Sequence, residues 1–243
     1  MPPNKPKYQR VMLKISGEGF CKSGGQGLDG GELRRIAEEI ANVTRLDVQL
    51  AVVVGGGNFV RGSTISARAK VQEVTGHYMG MLATVLNALA LQDTLESLGL
   101  QTRVQSAIQV DRVCEKFIRR RSIRHLEKGR VVILASGTGN PFVTTDSCAA
   151  LRAVELGADV LLKATKVDGV YSDDPVNNPD ATFYDSLSYN DVIDQRLKVM
   201  DVSAVDMCQR NRIPIVVFNL KKPGNMRQVV IGREPIGTII SEG

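Results

Sequence analysis

Short apolar segments alternate with segments of helical periodicity along almost the whole chain, and this alternation constrains the fold more than any other feature. The pattern predicts strands at residues 11–16, 48–54, 102–107, 131–135, 160–164, 215–218 and 238–240. It predicts helices at 32–46, 79–98, 111–126, 147–156, 189–195, 201–211 and 226–230. Alternating strands and helices form right-handed βαβ units, so we expect an α/β fold with a mainly parallel central β-sheet.

Length and composition set the outer limits of the domain organisation. With 243 residues, 43% of them hydrophobic, the chain can form one large α/β domain or two small ones. Residues 1–9 are polar and contain three prolines. We therefore predict a disordered N-terminal arm at 1–9 and a single domain at 10–243.

Cysteine spacing, histidine count and apolar runs exclude several other classes of protein. The four cysteines form no CxxC pair and the chain has only two histidines, so no zinc ribbon, disulfide framework or histidine metal site is predicted. No apolar run approaches the roughly 18 residues of a membrane span, and the N-terminus lacks the apolar core of a signal peptide. We expect reduced thiols, a cytoplasmic location and no membrane partner.

The segment 130–146, RVVILASGTGNPFVTTD, has the chemistry of an anion site. A buried strand at 131–135 leads into a loop of small residues, and a helical pattern starts directly after Asp146. The glycines allow a ligand to approach the backbone, and the N-terminus of a helix attracts anions. Taken alone, the segment could equally be an ordinary turn between a strand and a helix.

Two further strands end in loops of the same kind. Gly55, Gly56 and Gly57 follow the second strand, where we favour a phosphate contact, with Arg61 as a donor, over a structural turn. Lys14 lies near the end of the first strand, before a Ser-Gly pair; it either points towards a ligand or protects a sheet edge. Three such loops suggest two phosphorylated ligands that face each other, and hence phosphoryl transfer.

An arginine-rich segment lies within the predicted helix 111–126. Arg119, Arg120, Arg121 and Arg124 could form a polyanion patch or simply a solvated helix face. The mildly basic net charge of +5 suits phosphate-bearing ligands but does not by itself imply nucleic acid. We favour the solvated face, and nucleic acid is not an expected partner.

Several motifs, in order from about residue 10 to 240, resemble the amino-acid-kinase family and, within it, the branch that phosphorylates UMP. The general marks are LKISG at 13–17, VGGGN at 54–58 and VDGVY at 167–171, followed by Asp174 and Pro175. The marks specific to that branch are GTGNPF at 137–142 with TTD at 144–146, KATKVDG at 163–169 and KVMD at 198–201.

This resemblance implies a reaction and a setting. It implies phosphoryl transfer from MgATP to UMP, giving UDP and ADP, in cytoplasmic pyrimidine nucleotide synthesis. It implies a central sheet between helices, with UMP on the N-terminal part and ATP on the part from about residue 160. Typical members are hexamers, and many are activated by GTP and inhibited by UTP.

The resemblance also assigns roles to residues by position. It implies catalytic roles for Lys14, Lys163, Asp146 and Asp201, the acidic pair orienting lysines or Mg²⁺. ATP contacts are implied for Lys14, Ile15, Ser16, Gly17, Gly57, Arg61, Thr165, Tyr171 and Asp174. UMP contacts are implied for Gly56, His77, Thr138, Gly139, Asn140, Pro141, Phe142, Val143, Thr144 and Thr145. Arg103 and Arg130 match basic positions linked with GTP.

The chain departs from that branch at two places. Members carry Asp, in a Gly-Asp-His run, where this chain has His77, and that acidic residue touches UMP. Gln92 and Glu96 stand where some members have basic residues tied to GTP. Two alternatives remain open: a kinase for an acidic amino acid such as aspartate or glutamate, and a non-catalytic regulator that senses nucleotides or binds nucleic acid.

Overall fold

The fold is built around one nine-stranded sheet. A computed structural model of the chain describes residues 5–60, 70–197 and 199–242. The sheet has the strand order β4-β3-β5-β2-β1-β6-β10-β11-β9. Its strands are β1 (Arg10–Ile15), β2 (Gln49–Val54), β3 (Thr102–Ser106), β4 (Glu115–Lys116), β5 (Val131–Ala135), β6 (Val160–Thr165), β9 (Ser186–Ser188), β10 (Ile215–Asn219) and β11 (Thr238–Ser241).

All neighbouring strands of this sheet are parallel except β10 and β11. The predicted mainly parallel sheet is therefore confirmed. Two more strands, β7 (Val170–Tyr171) and β8 (Phe183–Tyr184), form a separate antiparallel pair. β1 lies between β2 and β6, so the loop after β1 is flanked by the loops after those two strands.

Helices cover both faces of the sheet. They are α1 (Gly30–Thr44), α2 (Glu73–Ser97), α3 (Arg119–Glu127), α4 (Thr145–Leu156), α5 (Tyr189–Asp194), α6 (Val202–Arg210) and α7 (Asn225–Ile231). Val11, Leu13 and Ile15 of β1 belong to a core with residues of α1, α2 and α7. Met12 points to the opposite core, which contains residues of α3, α4, α5 and α6. The period-two alternation of β1 thus places it in the middle layer of three.

Local signals explain the two ends of α4. The side chain of Thr144 accepts hydrogen bonds from the N–H groups of Asp146 and Ser147, which caps the start of the helix. Gly157 ends it with φ +64°, a left-handed conformation that glycine adopts without penalty. The predicted helix at 147–156 is confirmed, with its start two residues earlier.

Two predicted helices have different starts. The helix predicted at 111–126 is wrong in its first half, because Glu115–Lys116 forms β4 beside β3 and α3 begins only at Arg119. Strand pairing overrides helical periodicity here. The helix predicted at 79–98 begins six residues earlier, at Glu73, so His77 lies within α2.

The packed part of the chain begins before residue 10. Tyr8 is buried, and the N–H of Lys7 donates a hydrogen bond of 2.9 Å to the carbonyl oxygen of Val230 in α7. Residues 1–4 of the predicted arm lie outside the described residues.

Helix α2 is the one described helix that is long and apolar enough to cross a membrane by length and composition. Its inner face, which includes Ala88, Leu91 and Leu95, is fully buried in the core shared with α1 and β1. A core helix of a globular fold passes the same test of composition, and the packing of this face identifies α2 as one.

Candidate active site

The candidate site lies at the carboxyl ends of four adjacent strands, β5, β2, β1 and β6. The loops that follow them contain residues 136–144, 55–58, 16–19 and 166–169. Ligands of open α/β sheets bind at this edge. The three predicted phosphate-type loops are therefore brought together, and a fourth, after β6, joins them.

Two lysines and one aspartate form the centre of this edge. Lys14 of β1 and Lys163 of β6 are direct neighbours in the parallel register, and each ammonium group lies 2.7 Å from a different oxygen of Asp146. The three side chains are 8%, 13% and 14% exposed. Lys163 also donates to the carbonyl oxygen of Val199. Three of the predicted catalytic residues are thus in direct contact.

The charges of this cluster depend on one another. Burial works to raise the pKa of Asp146, but attraction to Lys14 and Lys163 outweighs it and holds that pKa below its ordinary value. Burial, with repulsion from Lys14, lowers the pKa of Lys163, while Asp146 and Asp201 oppose that shift. One carboxylate therefore keeps two ammonium groups side by side at a buried position, with a surplus of positive charge.

Asp201, the fourth predicted catalytic residue, directly precedes α6 and lies beside the N-terminus of α4. Its carboxylate accepts hydrogen bonds from the hydroxyls of Thr144 and, at 3.1 Å, Ser147. It thereby ties the start of α6 to the N-terminus of α4. The positive end of α4 and its capping residues face the same edge as the lysine pair.

The glycines after β1 and β2 have a packing role. A β-carbon on Gly17 would lie 2.4 Å from the nitrogen of Gly57, and one on Gly55 would lie 2.6 Å from the nitrogen of Gly17. A β-carbon on Gly56 would lie 2.5 Å from the carbonyl oxygen of Gly80 in α2. The sequence pattern was interpreted as close approach of a phosphate, but the approach of protein backbone already requires Gly55 and Gly56.

A cleft of about 280 Å³ opens beside Lys14. It contains the predicted ATP contacts Lys14, Ile15, Ser16 and Thr165, and also Lys163. Three further basic residues line it that the sequence analysis missed: Arg35, Lys166 and Lys221. Lys166 is adjacent to a predicted contact and could have been found, whereas Arg35 of α1 and Lys221 after β10 are brought in only by the fold.

A second cleft of about 460 Å³ shares Lys163 and Thr165 with the first. Tyr171 and Asp174, the other predicted adenine-side residues, line it. The Tyr171 ring packs edge-on against Phe183, with ring centroids 5.2 Å apart. Asp174 accepts hydrogen bonds from the N–H of Val176 and the amide of Asn177, which fixes its loop. Six of the predicted ATP contacts therefore border these two adjoining clefts, whereas Gly17 and Gly57 line neither of them.

The predicted acceptor loop lies on the other side of Lys14, after β5. Phe142 at its tip is 62% exposed and has φ +65°, an uncommon conformation for an aromatic residue that is found at functional sites. Its ring lies against His77 of α2, with centroids 4.6 Å apart. The structure thus places His77 beside this loop. The remaining predicted acceptor contacts, Thr138, Gly139, Asn140, Pro141, Val143, Thr144 and Thr145, belong to the same loop and to the start of α4.

The two basic residues linked with effectors share one pair of neighbours. Arg103 lies 3.8 Å from the carboxylate of Glu115, and Arg130 donates a hydrogen bond to Nδ1 of His125 at 3.0 Å. His125 and Glu115 are themselves 3.2 Å apart. Arg103 and Arg130 therefore meet at the β4 edge of the sheet, away from Lys14. Arg61 and Lys198 lie outside the described residues.

The carboxylates of the site do not form a metal cage. Within the described ranges, no group of three or more Asp, Glu, His or Cys side chains could hold a metal ion. Both oxygens of Asp146 face lysines. Asp201 is a second carboxylate close enough to act on the charge of Lys163. This donor set suits a magnesium ion that arrives on the phosphates of a nucleotide, because Mg²⁺ usually binds through one or two carboxylates plus substrate phosphates.

Comparisons with known proteins place the chain among kinases of small molecules. The profile of the amino acid kinase family matches residues 9–219. A uridylate kinase of Methylococcus capsulatus is 52% identical over 239 residues, which cover 98% of this chain and 99% of that protein. A chloroplast uridylate kinase of Arabidopsis thaliana is 53% identical, over 96% of this chain and 69% of that protein.

A solved structure agrees with these sequence relatives. The crystal structure of UMP kinase from Bacillus anthracis superposes with a TM-score of 0.93 at 37% identity. The superposition covers 97% of this chain and 96% of that one.

Proposed function

This chain belongs to the amino acid kinase family, and from that premise we propose that it transfers the γ-phosphoryl group of ATP to UMP, giving UDP and ADP. The observation that carries the proposal is the Lys14–Asp146–Lys163 cluster, which lies between the donor-side clefts and the acceptor loop. The two uridylate kinases that match almost the whole chain support UMP as the acceptor.

The proposed reaction needs no general base. The phosphate of UMP has a second pKa of about 6, so at neutral pH it is already largely the dianion. One of its oxygens attacks the γ-phosphorus while the bond from that phosphorus to the β,γ-bridging oxygen breaks, and ADP leaves. Negative charge spreads over the transferring group, and nearby cations stabilise it. Lys14 and Lys163 supply that charge, with Asp146 holding both in place.

We propose that Mg²⁺ enters with ATP. When bound, it would neutralise charge on the β- and γ-phosphates. Asp201 is the carboxylate that could hold it from the protein side, since Asp146 is already occupied by two lysines. Lys166, Lys221 and Arg35 would meet the donor phosphates in the cleft beside Lys14.

A homo-oligomer, of the hexameric kind typical of this branch, is the proposed assembly. Val74, Tyr78, Leu82 and Leu86 recur every four residues on the outer face of α2 and are 43–49% exposed. An apolar stripe at this spacing is a helix face that packs against a partner. A second copy of the chain would cover it.

Regulation by GTP and UTP, and a place in cytoplasmic pyrimidine nucleotide synthesis, complete the proposal. Arg103 and Arg130, both half-buried, lie at the β4 edge beside a shared Glu115–His125 pair, where an anionic effector could bind. Glu96 accepts hydrogen bonds from Thr102 and Gln92, which lower its pKa, and Arg103 lowers it further. This acidic residue therefore lies close to one of the two arginines.

The experiment that tests the reaction is ADP release from MgATP against a panel of acceptors. The panel contains UMP, CMP, dUMP, AMP, GMP, aspartate and glutamate, each with and without GTP. Turnover with UMP alone is expected. Turnover only with an amino acid would establish the kinase of acidic amino acids instead, and no turnover with any acceptor would favour a non-catalytic regulator.

A further inference from the structure

We propose that the outer surface formed by α3 and the β4 edge binds the phosphate backbone of a polynucleotide. The surface, here called the α3 surface, comprises residues 111–130. This surface is defined by where the positive charge of the chain lies and by what that charge touches, and it does not depend on the phosphoryl-transfer chemistry.

The α3 surface carries the whole net charge of the protein. Residues 111–130 contain eight Lys and Arg and three Asp and Glu, a net charge of +5, which equals that of the full chain. The remaining 223 residues have as many acidic as basic side chains. Charge that serves only solubility is spread over the surface of a protein. A surplus of positive charge confined to a twelfth of the chain instead indicates a site that binds a polyanion.

The four arginines of helix α3 point outwards. Arg119, Arg120, Arg121 and Arg124 are all exposed, as are Lys116 and Lys128 just outside α3. The inner face of the same helix is fixed by Leu126, which is buried in the core, and by Ser122, which hydrogen-bonds to Gln105. The helix therefore presents its cations to solvent and cannot turn them inwards.

Few acceptors within the protein compete for these cations. Arg119 donates a hydrogen bond to the carbonyl oxygen of Glu155, and Arg121 attracts the carboxylate of Glu115. The side chains of Arg120, Lys116 and Lys128 make no hydrogen bond or ion pair with any residue that the structure describes. Arg124 lies 4.0 Å from Glu127, the limit for an ion pair. Unpaired guanidinium groups are forked donors that suit phosphate oxygens, and they also stack on bases.

Arg130 belongs to the proposed effector site, whereas the other cations of the α3 surface extend along the helix over a length that suits a polymer. β3, β5 and β2 separate β4 from β1, and no residue of the α3 surface lines either of the two clefts beside Lys163. A nine-residue helix is about 13 Å long, which spans roughly four phosphates of one strand. The inner face of α3 is buried, and the two exposed apolar side chains of this surface, Val113 and Ile118, lie before the helix and form no apolar face along it that could enter a membrane.

The test is binding of fluorescein-labelled 20-nucleotide RNA, the same sequence as single-stranded DNA, and a duplex, measured by anisotropy with the full-length protein. Between 50 and 200 mM salt we expect the affinity for single strands to fall about 15- to 60-fold, as three or four phosphate contacts require. A preference for RNA over DNA would identify the 2′-hydroxyl as a further contact, and equal affinity would leave the backbone alone as the ligand.

Two variants with equal loss of charge make the test specific. Arg120→Ala/Arg121→Ala/Arg124→Ala should weaken binding at least tenfold and reduce the salt slope by about 2. The control Arg34→Ala/Arg210→Ala/Arg212→Ala removes three exposed arginines elsewhere and should leave the affinity within twofold. Both variants should phosphorylate UMP at the wild-type rate, which shows that they fold.

Three results would overturn the proposal. The first is the absence of binding at 50 mM salt, or an affinity that does not change between 50 and 200 mM salt. The second is equal weakening of binding in both variants, which would mean that only the net charge of the protein matters. The third is tighter binding to vesicles of anionic lipid than to any oligonucleotide. If the wild-type protein does not phosphorylate UMP, the proposed kinase reaction is wrong. The oligonucleotide measurement would still test the α3 surface.

Discussion

Two groups of basic side chains in this protein lie in opposite surroundings. Lys14 and Lys163 are buried, share one carboxylate and are fixed in register by adjacent strands. The arginines of α3 are exposed and have few partners among the described residues. The first group has its charge set by its neighbours, so each member depends on the others. The second has its charge set by solvent and salt, so its members act nearly independently.

The largest effect is expected from Lys14→Ala, which removes one member of the buried group. The variant keeps only the ammonium group of Lys163 beside the transferring phosphoryl group. Turnover with UMP should fall by about 10³-fold, because the lost charge is preorganised in a site that excludes water. Steady-state ADP release measures this effect. Lys22→Ala, which removes a lysine that is 81% exposed, is the matched control and should change turnover less than twofold. Near-normal activity of Lys14→Ala would remove Lys14 from its proposed role.

Asp146→Asn should break the mutual dependence of the buried group. Lys14 and Lys163 would then be neighbouring buried cations without a counter-ion, so the free energy of unfolding at pH 7 should fall by about 3 kcal/mol. Chemical denaturation gives this difference. Asp206→Asn is the control, because it breaks an exposed pair with Arg210 and should change stability by less than about 0.5 kcal/mol.

The same substitution predicts a pH dependence of known sign. In the folded protein, the pKa of Asp146 is held below its ordinary value of 3.8. The carboxylate therefore contributes its full stabilisation above about pH 4, and this stabilisation is lost as the pH falls through the pKa of the folded state. The stability gap between wild type and Asp146→Asn should therefore shrink as the pH falls below about 4. A gap that stays constant down to pH 2 would contradict the ion pair.

A smaller effect is expected at the acceptor side. His77→Asp restores the carboxylate of other members at a position that touches Phe142 of the acceptor loop. It should change the ratio of kcat/KM for UMP over dUMP and CMP by about tenfold, the value of one hydrogen bond to a charged group. Tyr78→Phe, one residue along α2, is the control. Identical ratios in wild type and His77→Asp would show that residue 77 does not contact the acceptor.

The smallest effect is expected from an exposed pair. Arg34 and Glu38 lie one turn apart in α1, 3.0 Å from each other and more than half exposed. Arg34→Ala should change the free energy of unfolding by less than about 0.5 kcal/mol, and high salt should remove even that difference. A larger loss would mean that exposure alone does not distinguish the two groups of charges.

Most of the sheet could be predicted because its strands are buried on both faces and follow one another as apolar runs. The loops after β1, β2 and β5 could also be predicted, since glycine and small polar residues mark them directly. Periodicity could not predict where a segment forms hydrogen bonds with a distant strand instead of within its own helix. Residues 111–118 fit a helix by period, yet Glu115–Lys116 gains more by pairing with β3.

The residues of the site could be predicted where a motif contains them, but not where only packing brings them to the site. Lys14, Lys163 and Asp146 were identified by their motifs, and the structure brings them into contact. Arg35 and Lys221 come from α1 and from the segment after β10, and they reach the cleft only through three-dimensional packing. Gly55 and Gly56 show a different limit, because the close approach of neighbouring backbone requires glycine there whether or not a phosphate also binds. The phosphate contact itself stays a prediction.

The pairing of β1 with β6 sets the geometry of the reaction. Lys14 stands opposite Lys163 because the hydrogen-bond ladder aligns these two positions, and no loop has to hold the ammonium groups at their spacing. A shift of β6 by one residue would turn Lys163 to the far face of the sheet, while every side chain of the site remained in the sequence. The hydrogen bonds between β1 and β6 therefore set the relative position of the two lysines that the reaction needs. An insertion of one residue at the Asp159 turn, remote from any nucleotide, would disable the enzyme as completely as the loss of a lysine.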